Sequence, residues 1–303
     1  MQFLRRRADV HRPRLGLGSI AVLAVGSLLG CSSASPQESA TATSSASTVP
    51  CTTHDVVRRS SNSWLIVWPR VNSIYLGEYW NGGEGPSDRG TLDGFWQTAA
   101  NDPNFWGRMR EYGIGGGAFG TSLVVPTPVV DNPAGNVVMS VSDIDHFIRA
   151  MVDANTFPRT DNNDVFVFYL PPNVSFTAGG AYHSYYFDAS GKPFWYAVQN
   201  YHANWFGLMT IETSHEIAEA ATDPDGASGY RDAIASHGEI ADICAGQDYP
   251  YSTEGLQDIW SQEGCGCISA PLPPPVDPCA KYRGTAKICC QKPSLPVCNE
   301  GLN

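Results

Sequence analysis

Short runs of apolar, β-branched and aromatic residues recur between residues 51 and 269, and they predict β-strands. The run at 164–170 (DVFVFYL) predicts a buried strand, and it is followed by two prolines. Two further runs flank the turn sequence DASGKP and predict a hairpin. The predicted strands are 63–68, 73–77, 164–170, 182–187 and 194–201.

Helical patterns lie between these runs. Apolar residues at helical spacing follow a Ser/Asp start in the segment 140–155, and Asp223-Pro224 ends the helix that begins near Gly207. No internal repeat is visible. The sequence therefore predicts a mixed α+β fold in which strands lead into the last helix. The predicted helices are 90–100, 103–113, 140–155 and about 207–222.

Two segments precede the predicted domain. Residues 1–30 combine an arginine-rich start with an apolar run that is short for a membrane span, and they end in LLGC. This pattern resembles a bacterial lipoprotein signal, with cleavage before Cys31 and lipid on its thiol; an ordinary secretory signal is the alternative. Residues 31–50 are small and polar, which predicts a flexible tether. We therefore expect a lipid-anchored protein of the bacterial cell envelope, at the outer membrane or cell surface.

The charge balance excludes one class of partner. The whole chain carries −11, and residues 1–30 carry five Arg and one Asp, so without their +4 the remainder carries −15. Such an acidic protein is repelled by phosphate backbones, so nucleic-acid binding is not expected.

The cysteine count predicts disulfides. Eight cysteines remain after Cys31 is set aside, an even number that is typical of an exported, disulfide-bonded protein. Four of the eight lie in a Cys-rich tail at 279–303, behind the Pro-rich linker 270–278. We expect a small disulfide-stapled tail, and a zinc ribbon is the alternative. The other four are expected to pair inside the main domain, at 51–269; they are Cys51, Cys244, Cys265 and Cys267.

The predicted helix at 207–222 carries the sequence TSHEIAEAATDP. His215 and Glu219 are four residues apart, so they project from one face and can hold one metal ion. Glu216 lies beside them, where it could accept a proton from a water at the metal. This is the arrangement of the zinc-peptidase motif His-Glu-x-x-His with a carboxylate in place of the second imidazole.

Acidic residues form a stripe along this helix, at Glu212, Glu216, Glu219 and Asp223. Between residues 204 and 224 no Lys or Arg offsets them. If these carboxylates are partly buried, their pKa values rise unless a cation neutralises them. The stripe therefore favours a metal site, and an exposed acidic face is the alternative.

A second block, SHGEIADIC at 236–244, offers the third ligand. Glu239 is expected to bind the metal, and Asp242, one helical turn further on, to orient His215. His237 is the competing ligand, and a surface histidine in a turn is its other interpretation.

Two histidines in aromatic, glycine-flanked segments could also serve the site. His183 and His202 are each interpreted either as a group that stabilises a developing oxyanion or as a packed structural histidine. His183 is also kept as an alternative ligand or as a group behind the ligands. The sequence from Asp223 to Gly226 has a passing likeness to a calcium loop, but a plain turn is expected there.

The two blocks HEIAEAATDP and GEIADIC resemble blocks of the Exordium, or phosphate-induced, family of secreted plant proteins, which has bacterial relatives. FYLPPNVSFTAGGAYHSYY and FWYAVQN are weaker echoes, and the likeness spans about residues 63–244. It implies that the two blocks act as a unit, in a zincin-like fold with a mixed sheet and an active-site helix. The chain departs from the family at Asp223, where the family has Asn, and in its Cys-rich tail.

Together these features predict a lipid-anchored metallohydrolase. Zn²⁺ would be held by His215, Glu219 and Glu239, and Glu216 would activate water for a zincin-like peptidase reaction. Because the ligand set is rich in carboxylates, another divalent ion is the alternative. The expected substrate is a peptide or a cell-wall polymer, and the chain is expected to be a monomer. The other functional hypothesis is a non-catalytic surface module that binds wall polymer or a partner protein.

Overall fold

The structure, a computed structural model, describes residues 51, 53–127, 135–154, 156–157, 159–177, 179–234, 238–246, 248–251 and 254–271. The predicted signal peptide with Cys31, the tether, His237, most of the Pro-rich linker and the Cys-rich tail lie outside these residues. Within the described ranges, no helix combines the length and the apolar character needed to cross a bilayer.

The described part of the chain folds into mixed α and β structure. Its helices are α1 (Gly85–Ala99), α2 (Pro103–Gly107), α3 (Val141–Asp153) and α4 (Phe206–Thr222). Short 3-10 helices cover Glu78–Asn81, Arg110–Tyr112 and Asp242–Cys244. Its strands are β1 (Val56–Arg58), β2 (Arg70–Leu76), β3 (Ala118–Val125), β4 (Val137–Met139), β5 (Asp164–Tyr169), β6 (Val174–Phe176), β7 (Ala181–Phe187), β8 (Pro193–Gln199), β9 (Tyr230–Asp232), β10 (Asp248–Tyr251), β11 (Glu254–Gln257), β12 (Ile259–Ser261) and β13 (Gly266–Ile268).

A five-stranded mixed sheet lies at the centre, in the order β3-β2-β5-β8-β7. The first four strands are parallel, and β7 runs antiparallel to β8 at the edge. The remaining strands form two-stranded pairs around this sheet. The predicted α+β class with a mixed sheet is confirmed.

Side chains that alternate along the strands build two separate cores, one on each face of the sheet. Tyr169 and Trp195 belong to the core that contains α1 and α4. Phe166 and Phe168 belong to the core that contains α3. Full burial of each such aromatic contributes on the order of 2–3 kcal/mol. This packing fixes α4 against the sheet face onto which the odd-numbered residues of β7 point.

Several predicted elements are confirmed, with small shifts at their ends. The predicted helix 90–100 begins earlier, at Gly85. The helix predicted at 140–155 is α3, and Ser140 and Asp143 form a reciprocal capping box at its start. The predicted hairpin is β7 and β8, and α4 ends before Asp223 as expected.

Two element predictions are wrong. Residues 63–68 form no strand; instead the Ile66 amide donates to the Ala221 carbonyl, 3.0 Å away. The segment therefore satisfies the C-terminal end of α4, whose last carbonyls lack partners within the helix. The helix predicted at 103–113 breaks after Gly107, a poor helix former, and a 3-10 turn at Arg110–Tyr112 follows it.

The four cysteines of the main domain pair with one another, as predicted. Cys51 bonds to Cys265 and Cys244 bonds to Cys267, with Cα–Cα distances of 5.4 and 5.7 Å. The second bond joins the segment after Glu239 to β13. The block that follows the helix motif is therefore anchored covalently.

Candidate metal centre

Two acidic side chains of α4 and the acidic side chain that follows the helix are buried. Glu216 is 8% exposed and Glu219 is 3% exposed, and Asp223 is also buried. These three residues do not form an exposed acidic face, so that alternative is wrong for them. They are buried because α4 packs against β5, β7, β8 and β11. A buried carboxylate without a partner destabilises the fold by several kcal/mol, so the groups around these three carboxylates determine their role.

His215 and Glu219 face each other, as the helical spacing predicts. His215 Nε2 lies 3.1 Å from Glu219 Oε1. The same nitrogen lies 3.5 Å from Asp242 Oδ1. Asp242 therefore contacts the nitrogen that faces Glu219, which is where a ligand would lie rather than a group behind the ring.

His183 reaches the same carboxylates from β7. Its Nδ1 lies 3.0 Å from Glu216 Oε2 and 3.6 Å from Glu219 Oε2. Its Nε2 lies 3.5 Å from Glu239 Oε1. The edge strand thus adds a second imidazole to the cluster, at a residue that the sequence offered only as one of several histidines.

Backbone contacts hold the second block against α4. The Asp242 amide donates to Glu219 Oε1 at 3.1 Å, and the Glu239 amide donates to Asp242 Oδ2 at 3.1 Å. A Cβ on Gly238 would lie 2.2 Å from Asp242 Oδ2, so a larger residue there would displace the Asp242 carboxylate. Glu239 and Asp242 are therefore positioned by the fold beside the helix motif.

Arg231 on β9 is a residue of the site that the sequence reasoning missed. Its Nη1 lies 3.2 Å from Asp223 Oδ2 and 3.5 Å from Glu239 Oε2. No Lys or Arg lies between residues 204 and 224, but the turn after α4 brings β9 back to the cluster. The sequence signal for it is an arginine a few residues after the tight turn that follows α4, close enough to return to the helix.

The electrostatics reflect crowded carboxylates. Burial opposes the charge on the His183 imidazole, but the hydrogen bond with Glu216 and the charges of Glu239, Glu216 and Glu219 outweigh it and raise its pKa to about 10. Burial also opposes the charge on His215, and the neighbouring Glu219 and Asp242 raise its pKa to about 11. Burial and the charge of Glu219 raise the pKa of Glu239 to about 9. In the absence of another cation, protons are what neutralise this cluster.

The donor atoms fall into two compact groups with one member in common. In each group the nitrogen and oxygen atoms lie within 4.8 Å of one another. The predicted ligands His215, Glu219 and Glu239 are divided between the groups, and Glu219 belongs to both. The first group is His183, Glu219 and Glu239, and the second is His215, Glu216 and Glu219.

Imidazole nitrogens and carboxylate oxygens are the donors that zinc and manganese accept, so the residues fit such an ion. Ligands about 2.0–2.2 Å from one ion lie about 3.0–3.6 Å from one another, and the contacts of both imidazoles with Glu219 fall in that range. Glu239 Oε1 is buried and accepts no hydrogen bond from the described residues.

The remaining candidate residues lie elsewhere. His202 Nε2 lies 2.9 Å from Glu212 Oε2, outside both groups. Asp225 accepts hydrogen bonds from the Ala227 and Ser228 amides, which confirms a turn there. His237 and Cys31 lie outside the described residues, so their predicted roles stay predictions.

Comparisons with protein-family models, with curated proteins and with solved structures gave no match for this chain. The resemblance to the Exordium family therefore stays a prediction, and the interpretation of the site rests on its residues.

Proposed function

We propose that this chain is a metal-dependent hydrolase of the cell envelope, with a peptide bond as its target and a lipid on Cys31 as its anchor. The observation that carries the metal proposal is the environment of the Glu239 carboxylate. One of its carboxylate oxygens is buried, accepts no hydrogen bond from the described residues and points at the His183 imidazole. Folding rarely leaves such an oxygen without a partner, because the cost is about 1–3 kcal/mol or more.

The residues that would hold a divalent ion are His183, His215, Glu219 and Glu239, with Glu219 in both groups. Zn²⁺ fits these donors, and so does a harder ion such as Mn²⁺. When bound, the ion would supply Lewis acidity toward a carbonyl group and lower the pKa of a water molecule.

Glu216 is the proton acceptor in this proposal. Its Oε2 lies 3.0 Å from His183 Nδ1, so the carboxylate is held in one orientation beside the donor groups. The neighbouring His183 can share a proton with it. Positioned carboxylates of this kind contribute about 10²–10⁴-fold to hydrolysis.

The edge strand β7 supports a peptide substrate. His183 projects from β7, and in the described sheet β8 is the strand that pairs with β7, which leaves one side of β7 unpaired. An extended peptide can hydrogen-bond to the main chain of such an edge. A peptide bound there would pass the carboxylate cluster.

The test combines metal content with hydrolysis. The purified full chain is analysed for bound metal and assayed on casein and a peptide library, beside Glu216→Gln and the control Glu212→Gln. Glu212 lies one turn earlier on α4 and outside both groups. We expect bound metal in all three proteins, at least a 100-fold loss of hydrolysis in Glu216→Gln, and less than a threefold change in Glu212→Gln. Wild-type protein without metal, or Glu216→Gln with full activity, would contradict the proposal.

A separate cavity favours a second function, a non-catalytic binding module. It has a volume of about 330 Å³ and is lined in part by Trp68, Trp106 and Arg110. Trp68 is 55% exposed, and none of the carboxylate cluster lines the cavity. An exposed indole beside a guanidinium suits a sugar ring or an extended wall polymer. If wild-type protein pulls down cell-wall material, Trp68→Ala does not, and no substrate is cleaved, this function replaces the first.

A further inference from the structure

The two donor groups share Glu219, and each also contains an imidazole and a carboxylate of its own. We infer that the cluster binds two divalent ions, with the Glu219 carboxylate bridging them. The inference rests on the proposed metal-dependent function and adds the number of ions and the ligands of each.

The orientation of Glu219 is the first support. Its Oε1 faces His215 Nε2 at 3.1 Å, and its Oε2 faces His183 Nδ1 at 3.6 Å. The two oxygens of one carboxylate therefore face two different imidazoles, which come from a helix and from an edge strand. A carboxylate in this position gives one oxygen to each of two ions.

Each ion then has its own set of donors. The first ion takes His183, Glu219 and Glu239, whose buried Oε1 accepts no hydrogen bond and lies 3.5 Å from His183 Nε2. The second takes His215 and Glu219 Oε1, and Glu216, the other member of that group, stays the proton acceptor beside them. Asp242 Oδ1, at 3.5 Å from His215 Nε2, completes the second set.

The charge of the cluster fits two ions better than one. Five carboxylates meet there, and Arg231 contacts two of them, Asp223 and Glu239. One guanidinium offsets one carboxylate, so four negative charges remain beside two imidazoles. Two divalent ions neutralise these four charges, whereas one leaves a net charge of −2 on a cluster in which four of the five carboxylates, all except that of Asp242, are buried. The five are Glu216, Glu219, Asp223, Glu239 and Asp242.

The donor set also indicates which ions fit. Three carboxylates and two imidazoles suit Mn²⁺ and Zn²⁺, and sites with two ions about 3.5–4 Å apart occur in phosphatases, nucleases and aminopeptidases. The site would therefore act on a peptide or ester whose oxygens both ions contact.

The experiment measures stoichiometry by equilibrium dialysis of the full chain against Mn²⁺ and, separately, Zn²⁺. We expect two ions per wild-type chain and about one in each of His183→Ala and His215→Ala, because each substitution removes the imidazole of one set. The matched control is His146→Ala, an exposed histidine on α3, which keeps two ions.

A second measurement needs no substitution, so it stands even if a variant fails to fold. Two Mn²⁺ ions bridged by a carboxylate are magnetically coupled, and the electron paramagnetic resonance spectrum of the wild-type chain loses the six-line signal of isolated Mn²⁺. One ion per chain with a six-line signal overturns this inference and leaves the proposed function standing. Wild-type protein that binds no ion overturns both.

Discussion

Two buried carboxylates at different places in this fold have opposite surroundings. Asp164, at the start of β5, is 3% exposed and accepts from Arg70 Nε at 2.6 Å, Asn72 Nδ2 at 3.1 Å and the Thr160 amide at 2.6 Å. Burial opposes its charge, but these donors outweigh it and hold the pKa of Asp164 below its usual value. Glu239 is 7% exposed, one of its oxygens accepts no hydrogen bond, and its pKa is raised to about 9.

The difference distinguishes a carboxylate that stabilises the fold from a carboxylate that is available to bind a ligand. Asp164 has donors from a side chain of β2 and from the loop before β5, so its charge is already stabilised by the protein. Glu239 lies beside other carboxylates, and the Arg231 guanidinium near it is shared with Asp223. A bound cation would stabilise the charged form of Glu239, as the Arg70 guanidinium stabilises the charged form of Asp164.

The largest expected effect is the loss of Asp164. Asp164→Asn puts an amide donor where the Thr160 amide needs an acceptor and removes the buried negative charge that Arg70 contacts. We expect the free energy of unfolding to fall by about 3 kcal/mol, with metal content per folded chain unchanged. Urea denaturation measures the first quantity.

Asp161→Asn is the matched control for that change, because Asp161 also contacts Arg70, at 3.0 Å, but is exposed. Its loss should cost less than about 1 kcal/mol. Equal losses for Asp161 and Asp164 would show that burial does not distinguish the two carboxylates.

Metal binding should have the next largest effect per ion. Each ion that binds only the folded chain, at a free concentration of 100 times its Kd, raises the free energy of unfolding by about 2.7 kcal/mol. Urea denaturation of the full chain with Zn²⁺ or with a chelator measures the difference. Glu219→Ala should abolish the gain, and Glu212→Gln should keep it, since Glu212 lies outside both groups. A gain retained by Glu219→Ala would place the ion elsewhere.

Glu239→Gln should change the free energy of unfolding less than Asp164→Asn does, and its effect should differ between the chelated and the metal-bound chain. In the chelated chain we expect a change within about 1 kcal/mol, or a small gain, because the charged carboxylate is penalised by burial and by Glu219. In the presence of Zn²⁺ the same variant should lose at least one ion. A loss of about 3 kcal/mol in the chelated chain would show that Glu239 stabilises the fold as Asp164 does, and the distinction between the two carboxylates would be wrong.

Much of the helix half of the site could be predicted from the sequence. The four-residue spacing places His215 and Glu219 on one face, and the Asp-Pro signal ends α4 at the observed place. The hairpin with His183 was also predictable, because its alternating aromatic residues define β7 and β8.

The rest depends on tertiary topology. His183 meets Glu239 because β7 is the sheet edge beside α4 and the Cys244–Cys267 bond holds the second block nearby. Neither fact has a local sequence signal. The same limit explains the wrong strand at 63–68: its aromatic and β-branched residues suit a strand, but the segment binds the end of α4 instead.

The smallest expected effect is a pH dependence at Asp164. Because the pKa of Asp164 is lower in the folded chain than its unfolded value of about 3.9, the folded chain binds this proton less tightly. The carboxylate therefore stabilises the fold fully above about pH 4, and this contribution is lost as the pH falls through the folded pKa. The stability gap between wild type and Asp164→Asn, measured by urea denaturation with a chelator present, should narrow between pH 5 and pH 3. The difference in the free energy of unfolding between wild type and Glu239→Gln is not expected to narrow below pH 4, since the pKa of Glu239 is shifted upward. A gap for Asp164→Asn that stays constant down to pH 3 would mean that its hydrogen bonds, and not its charge, carry the stabilisation.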